Sequence, residues 1–281
     1  MDIRSFILDG AVVLVLLVLI GAAYAIGRAG SDTGDTDTQV WSPEPGATWQ
    51  WQLLGELDTT LDVEMYDIDL FDTTTTTIDA LQADGRVVVC YFSAGSREDW
   101  RQDADAFEAS DLGNALDGWA GENWLDVRSE NVRAIMAERL DRAVDKGCDG
   151  VEPDNVDAYA NDSGFALSAD DQIDYNRFLA TEAHARGLSV GLKNALGILP
   201  ELEADFDWAL NESCLLWEEC TALRPFLEAG KAVFHSEYVD TKADGVALRD
   251  VVCTDSTTDG LSTLIKTWDL DAWVLTCEPT D

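Results

Sequence analysis

Apolar stretches alternate with amphipathic stretches from residue 49 towards the C-terminus. Eight of the apolar stretches have the length of strands. Several, such as VVVCYF, are apolar at successive positions, as expected for strands buried on both faces of a parallel sheet. The eight predicted strands are Trp49–Leu53, Val63–Ile68, Val87–Phe92, Trp124–Val127, Gly150–Pro153, Ser189–Lys193, Trp208–Asn211 and Ala232–Glu237.

Two of the intervening segments carry helix signals at both ends. Residues Ser129–Lys146 place apolar side chains at three- and four-residue spacing, with a serine as N-cap and Gly147 as terminator. Residues Ser168–Arg186 begin with a serine that forms a capping-box pattern with Asp171, and Gly187 ends the helix.

This alternation of strands and helices predicts an α/β fold, a (β/α)₈ TIM barrel in a single domain over residues 47–281. A doubly wound open sheet is the alternative. It is disfavoured because no glycine-rich phosphate loop follows the first strand.

The first 46 residues differ from the rest. Residues 10–27 are uncharged and apolar on every face, so residues 1–29 are predicted to be a cleaved signal peptide or an uncleaved membrane anchor. Both alternatives stay open, since Ala23-Tyr24-Ala25 fits a cleavage site while the length suits a short membrane span. Residues 30–46 are predicted to be a flexible acidic linker.

The net charge of the chain limits the kinds of partner that it can bind. The chain has 55 acidic and 18 basic residues, a formal net charge of −37 that is spread along its length. A surface of this kind repels phosphates, which excludes nucleic acid as a partner. Because salt screens the self-repulsion, the composition indicates a halophilic protein, and an acidic groove for a cationic substrate is a compatible interpretation.

Six cysteines on an exported chain permit disulfides. Cys214 and Cys220 would close a local loop, and Cys253 and Cys277 would hold the C-terminal segment. Cys90 and Cys148 either pair or are buried thiols. A zinc site is disfavoured because there is no C-x-x-C pair and there are only two histidines.

Polar residues follow the predicted strands, where a parallel barrel carries its active residues. Taken together, they predict one functional rim at the carboxyl ends of the strands. The candidate substrate-binding residues are Asp67, Tyr91, Asp126, Glu152, Asn155, Lys193, Asn194, Glu237 and Tyr238.

Two carboxylates that face each other across the barrel mouth suit glycoside hydrolysis, in which one donates a proton and the other stays ionised. Asp154 and Glu212 are the predicted catalytic pair, and Lys193 between them could hold one carboxylate ionised. Glu152 competes with Asp154, but it lies deeper on the same strand face.

Other chemistries fit poorly. No G-x-S-x-G elbow is present, no ligand cluster predicts a metal, and no cofactor motif occurs. Aromatic residues near the rim could stack on sugar rings. These are Trp51, Tyr66, Tyr91, Trp124 and Tyr238.

Long ordered stretches resemble glycoside hydrolase family 114, the endo-α-1,4-polygalactosaminidases and their relatives. They include VVVCYFSAGSREDW, DKGCDGVEPDNVDAY, NESCLLWEEC and AVFHSEY. The resemblance implies a (β/α)₈ barrel that cleaves galactosamine-containing polysaccharide. It carries the catalytic positions onto Asp154 and Glu212, and other rim motifs onto Asp67, Tyr91, Lys193 and Glu237. Glu152 and Ser213 depart from common residues of the family.

The resulting prediction is an exported, endo-acting glycoside hydrolase, extracellular or at the cell surface, whose partner is a galactosamine-rich polysaccharide. The N-terminal segment would add a membrane contact if it is uncleaved. The alternatives are a non-catalytic carbohydrate-binding barrel at the cell surface and a barrel enzyme of another class, such as a deacetylase.

Overall fold

The computed structural model describes residues 40–277, so the predicted signal or anchor segment lies outside the described residues. Its central element is a sheet of eight parallel strands, with a short ninth strand paired antiparallel to the last of them. In sheet order the strands are β1 (Trp49–Gln52), β2 (Met65–Asp69), β3 (Val87–Ser93), β7 (Gly150–Asp154), β8 (Ser189–Lys193), β9 (Trp208–Glu212), β10 (Val233–Val239), β11 (Ser262–Thr267) and β12 (Leu275–Thr276).

The sheet curls so that its first and eighth strands meet. Trp49 Nε1 donates to the carbonyl oxygen of Ser262 at 2.8 Å, and Lys266 Nζ lies 3.3 Å from Gln50 Oε1. These side-chain bonds form the seam of the barrel, between β1 and β11. The predicted (β/α)₈ TIM-barrel fold is confirmed.

The fourth predicted strand, Trp124–Val127, is wrong as a barrel strand. The segment Glu122–Leu125 is strand β6, which pairs antiparallel with β4 (Ser96–Glu98) and β5 (Leu112–Ala115) in a separate three-stranded sheet. The eighth barrel strand is β11, which carries polar side chains. Its lysine is buried because Lys266 also donates to the carbonyl oxygen of Asp271 at 2.7 Å.

Helices follow most of the barrel strands. Within residues 40–277, none of them is both long and apolar enough to cross a membrane. They are α1 (Thr75–Ala83), α2 (Glu130–Lys146), α3 (Ala169–Ala185), α4 (Leu199–Leu202), α5 (Arg224–Glu228) and α6 (Gly245–Val252). Short 3₁₀ turns occur at Ala104–Ala106, Ala109–Asp111, Ala158–Ala160, Glu203–Asp205, Cys220–Leu223, Lys242–Asp244 and Ser256–Thr258.

The two helices predicted from capping signals are confirmed. The Ser129 side chain accepts from the backbone N–H of Val132 at the start of α2, and Ser168 and Asp171 form the capping box of α3. The buried face of α2 differs at two residues from the apolar face predicted from the spacing. Val144 is exposed, and Arg139 is buried there because it donates to the Ser93 carbonyl oxygen and to Asp103.

Aromatic side chains fill the barrel interior towards the amino-terminal ends of the strands. Trp49, Trp51, Trp208 and Phe234 pack together with centroid distances of 5.0–5.9 Å. The interior positions continue along the same strands at every second residue, as the pleat requires. They become polar towards the carboxyl ends, where Lys193 lies two residues beyond Gly191. A larger apolar core lies between the sheet and the helices.

Three disulfides hold the chain. They join Cys90 to Cys148, Cys214 to Cys220, and Cys253 to Cys277. Cys90 lies in β3 and Cys148 lies between α2 and the start of β7, so this bond ties the sheet to the segment that enters β7. The Cys214–Cys220 bond follows the carboxyl end of β9 and constrains a loop of the polar rim.

Candidate active site

A cleft of about 1080 Å³ opens over the carboxyl ends of the barrel strands. Its lining contains ten acidic side chains and two basic ones, Arg101 and Lys193. The acidic residues are Asp69, Asp72, Glu98, Asp117, Glu122, Asp154, Asp157, Asp162, Glu212 and Asp269. The cleft therefore favours a cationic ligand electrostatically.

The ammonium group of Lys193 is at the centre of the cleft floor. It donates to Glu152 Oε1 at 2.7 Å and lies 3.2 Å from Asp154 Oδ1 and 3.3 Å from Glu212 Oε2. Its side chain is 1% exposed, and the ring centroid of Trp51 lies 4.6 Å from Nζ. One buried cation thus holds three carboxylates together. Without them its desolvation would be uncompensated.

Glu212 ends strand β9 and is bound at both oxygens. Tyr238 Oη donates to Oε1 at 2.5 Å, and Asn194 Nδ2 donates to Oε2 at 3.1 Å. Burial opposes the charge, but Lys193 and these hydrogen bonds outweigh it, so the pKa of Glu212 lies below its usual value. The resting site therefore contains Glu212 as a carboxylate.

Asp154 ends strand β7, two strands from Glu212. Its Oδ1 accepts the backbone N–H of Asn155 at 2.7 Å, and its side chain keeps 17% of its surface exposed to the cleft. Because Oδ1 of Asp154 and Oε2 of Glu212 lie 3.2 and 3.3 Å from one nitrogen, they are at most about 6.5 Å apart, the sum of the two distances.

Backbone geometry turns the chain sharply where three adjacent strands end. Asn155, Asn194 and Ser213 follow β7, β8 and β9, and their φ angles are +60°, +46° and +59°. Such left-handed angles are costly for residues other than glycine and often occur at functional sites. They direct the Asn194 amide back towards Glu212.

Asp154 is also held by a close backbone approach from β3. The N–H groups of Ala94 and Gly95 donate to the Asp154 carbonyl oxygen at 2.8 and 3.0 Å. A Cβ atom on Gly95 would lie 1.7 Å from the carbonyl oxygen of Asn155, so glycine is required there.

Seven of the eleven residues predicted for the site line the cleft, and they are Tyr91, Asp154, Asn155, Lys193, Asn194, Glu212 and Tyr238. Asp67 and Glu152 lie beneath the floor and are fully buried. Tyr66, expected to stack on sugar, is also buried, and its hydroxyl donates to the Leu61 carbonyl oxygen.

The structure places Asp126 and Glu237 outside the cleft. Asp126 precedes α2 and binds the guanidinium of Arg128 at 2.8 Å, because β6 is not a barrel strand. Glu237 alternates with the inward Tyr238 and so points outward. There Oε1 accepts the backbone N–H of Leu215 at 2.7 Å and lies 3.1 Å from His235 Nε2.

Several cleft residues have no counterpart in the sequence predictions. Four tryptophans line the cleft or a smaller cavity beside it, and more than half of each is exposed. They are Trp100, Trp119, Trp217 and Trp268. Asp157 borders both cavities, and its pKa is raised to about 6 by burial and by the charge of Asp154.

The smaller cavity has a volume of about 420 Å³ and continues the cleft past Glu212. Glu212 and Tyr238 line both cavities, and Trp268 stacks on Tyr238 with ring centroids 4.3 Å apart. A bound chain can therefore extend to both sides of the Glu212 carboxylate.

One cluster of potential metal ligands occurs within residues 40–277. It comprises Cys214, Cys220 and His235, and both sulfurs belong to one disulfide. No thiolate is left there to bind a metal.

The sequence model of glycoside-hydrolase family GH114 matches residues 30–280, and the chain belongs to that family. It is therefore a glycoside hydrolase. No curated protein sequence matches it.

Among solved structures, the chain is similar to Ega3 of Aspergillus fumigatus in complex with galactosamine. The two are 48% identical, the match covers 84% of this chain and 97% of Ega3, and the TM-score is 0.81. It is also similar to the glycoside hydrolase domain of PelA from Pseudomonas aeruginosa at 14% identity. That match covers 83% of this chain and 99% of the domain, with a TM-score of 0.64, and it supports the fold alone.

Proposed function

We propose that the protein cleaves α-1,4-linked, galactosamine-containing polysaccharide at internal bonds, with Asp154 and Glu212 as the catalytic carboxylates. The observation that carries this proposal is the shared ammonium of Lys193, within 3.3 Å of both carboxylates. Glycoside hydrolysis needs one proton donor and one ionised carboxylate on either side of the bond.

The substrate class follows from charge. Amino sugars that lack an acetyl group carry ammonium groups, and the cleft is lined by ten acidic side chains against two basic ones. The similar Ega3 structure contains galactosamine, which supports this amino sugar as the repeating unit.

Endo action follows from shape. The cleft continues on both sides of Glu212, and exposed tryptophans line each part. Aromatic faces bind sugar rings without enclosing the chain end. An open groove of this kind accepts an internal segment of a polymer.

The decisive experiment compares Asp154→Asn and Glu212→Gln with Glu138→Gln, which changes an exposed glutamate on α2. We expect the purified wild type and E138Q to release short oligosaccharides from de-N-acetylated galactosamine polymer. We expect D154N and E212Q to fold normally and to lose activity by at least about 10²-fold, the minimum contribution of an acid–base group.

The outcomes separate the alternatives. Wild-type activity in both variants would contradict the catalytic pair. Polymer retention by the wild type without release of reducing ends would instead indicate a carbohydrate-binding barrel.

We infer that the enzyme acts outside the cell. Three disulfides form within residues 40–277, and such bonds persist in oxidising compartments. Attachment by residues 1–29 stays a prediction. N-terminal sequencing of the exported protein tests it, because a start at residue 26 or later would mean cleavage of the leader.

A further inference from the structure

Asp67 lies on β2 directly beneath the cleft floor and is fully buried. Neither of its carboxyl oxygens faces an N–H or O–H donor among residues 40–277. The same holds for Oε2 of Glu152, on strand β7. Buried carboxyl oxygens without a donor are costly, so these three atoms need a physical explanation.

The two carboxyls satisfy each other. The Asp67 and Glu152 side chains lie within hydrogen-bonding reach of each other, while the other oxygen of Glu152 accepts from Lys193 Nζ at 2.7 Å. Two carboxyl groups can be hydrogen-bonded only if a proton lies between them, since an ionised carboxylate has no hydrogen to donate.

The residues around Asp67 and Glu152 favour the proton on Asp67. Trp51 on β1 and Val89 on β3 are the strand neighbours of Asp67, and neither carries a charge. Burial raises the pKa of Asp67 well above its usual value, and the charge of Glu152 raises it further. Lys193 lowers the pKa of both carboxyls, but it contacts Glu152 directly, so burial raises the pKa of Glu152 only to about 7. The charge of Asp154 adds to the rise at Asp67.

We propose that Asp67 is a neutral carboxylic acid that donates its proton as a hydrogen bond to Oε2 of Glu152, and so positions Lys193 under the catalytic pair. Glu152 is then bound at both oxygens, by an acid on one side and an ammonium on the other. Asp67 acts through Glu152 and is a positioning residue, without contact to substrate.

The neutral state matters for charge balance in the floor. With Asp67 protonated, Lys193 faces three carboxylates, and its ammonium stays within reach of Asp154 and Glu212. A fourth anion below would draw the ammonium downwards and weaken its hold on both.

Infrared spectroscopy of the substrate-free protein tests protonation, independently of the proposed function. At about pH 8.5 exposed carboxyls are ionised, so a carbonyl band of a protonated acid reports a buried one. We expect this band in the wild type and in the surface control Glu138→Gln, and its loss in Asp67→Asn. A band that persists unchanged in D67N, or that is absent from the wild type, would overturn the proposal.

Kinetics test the positioning role, which rests on the proposed function. The amide of D67N still donates to Glu152, whereas Asp67→Leu offers no donor. We expect D67N to keep kcat within about threefold of the wild type with the same pH limbs, and D67L to lose at least about tenfold in kcat with little change in KM. An equal loss in both variants, or a displaced limb in D67N, would contradict it. If D67L does not fold, the infrared comparison decides.

Discussion

The hydroxyl of Tyr238 donates to Oε1 of Glu212 at 2.5 Å, while the ring of the same tyrosine stacks on Trp268. Tyr238 therefore links the charge of Glu212, a carboxylate proposed as catalytic, to an exposed aromatic face of the cleft. The Tyr238→Phe variant separates these roles, because it removes the donor and keeps the ring.

We expect Tyr238→Phe to lower kcat about tenfold with little change in KM. The substitution should also raise the pKa of Glu212. The hydrogen bond lowers the pKa of Glu212, so its loss moves the limb of the pH profile that Glu212 governs to higher pH. A Trp268→Ala variant should instead raise KM. An unchanged pH profile in Y238F would contradict the proposed hydrogen bond.

Lys193→Met should abolish most activity, with a loss of at least about 10²-fold in kcat. Without the ammonium, the pKa of Glu212 rises and its limb moves to higher pH. The buried Glu152 then loses the only cation paired with it in the described part of the chain, which should cost about 3–5 kcal/mol of unfolding free energy. The double variant K193M/E152Q should recover stability in denaturant titrations without recovering activity. Recovered activity in the double variant would show that the reaction does not need Lys193.

The product should retain its anomeric configuration. The facing oxygens of Asp154 and Glu212 are at most about 6.5 Å apart. Inverting enzymes need about 6.5–9.5 Å, whereas retaining ones use about 5–5.5 Å. Nuclear magnetic resonance spectra taken early in the reaction should show the α-anomer first. If the β-anomer appears first, water attacks the anomeric carbon directly and the enzyme inverts the configuration, which would contradict this prediction.

Azide rescue then assigns the two carboxylates. We expect azide to restore turnover, with a glycosyl azide as product, in the alanine variant that lacks the nucleophile. The variant lacking the proton donor should be rescued only on substrates with a good leaving group. Glu138→Ala is the matched surface control.

Salt should act on binding and on stability in opposite directions. Screening weakens attraction between the acidic cleft and an ammonium-bearing polymer, so kcat/KM should fall as salt rises. The formal net charge of −37 destabilises the folded chain, so Tm should rise over the same range. A fully N-acetylated polymer should show no such fall in kcat/KM. Equal salt dependence for both polymers would contradict charge recognition.

Gly95→Ala should damage the site through the backbone. Its Cβ would lie 1.7 Å from the Asn155 carbonyl oxygen, which displaces the residue beside Asp154. We expect a loss of about 1–3 kcal/mol in unfolding free energy and a large fall in kcat. Gly46→Ala is the control. Its φ is +90° with open space around it, and it should lose stability but keep its activity.

Most of the fold could be predicted because strand and helix signals are local. Seven barrel strands and both capped helices follow from apolar runs and terminal residues. The eighth strand could not be identified that way. Its buried Lys266 is hydrogen-bonded to Gln50 and to the Asp271 carbonyl oxygen, and both contacts form only when the barrel seam has closed.

Asp154 and Glu212, the pair proposed as catalytic, could be placed at the rim because each ends a strand, whereas the exposed tryptophans of the cleft come from loops. Trp100, Trp119, Trp217 and Trp268 lie in such loops, each within three residues of an acidic side chain. Acidic neighbours alone do not predict exposure, because Trp208 directly follows Asp207 and is fully buried. The outward direction of Glu237 was predictable from strand alternation, once Tyr238 is assigned to the interior.

The seam between Trp49 and Ser262 joins residues 213 positions apart in the chain. A ribosome must therefore complete nearly the whole polypeptide before the first strand meets its last neighbour. Until then the first strand keeps one edge open, so the barrel cannot close before β11 has been made. The Cys253–Cys277 bond, which lies on either side of β11, likewise depends on the last part of the chain.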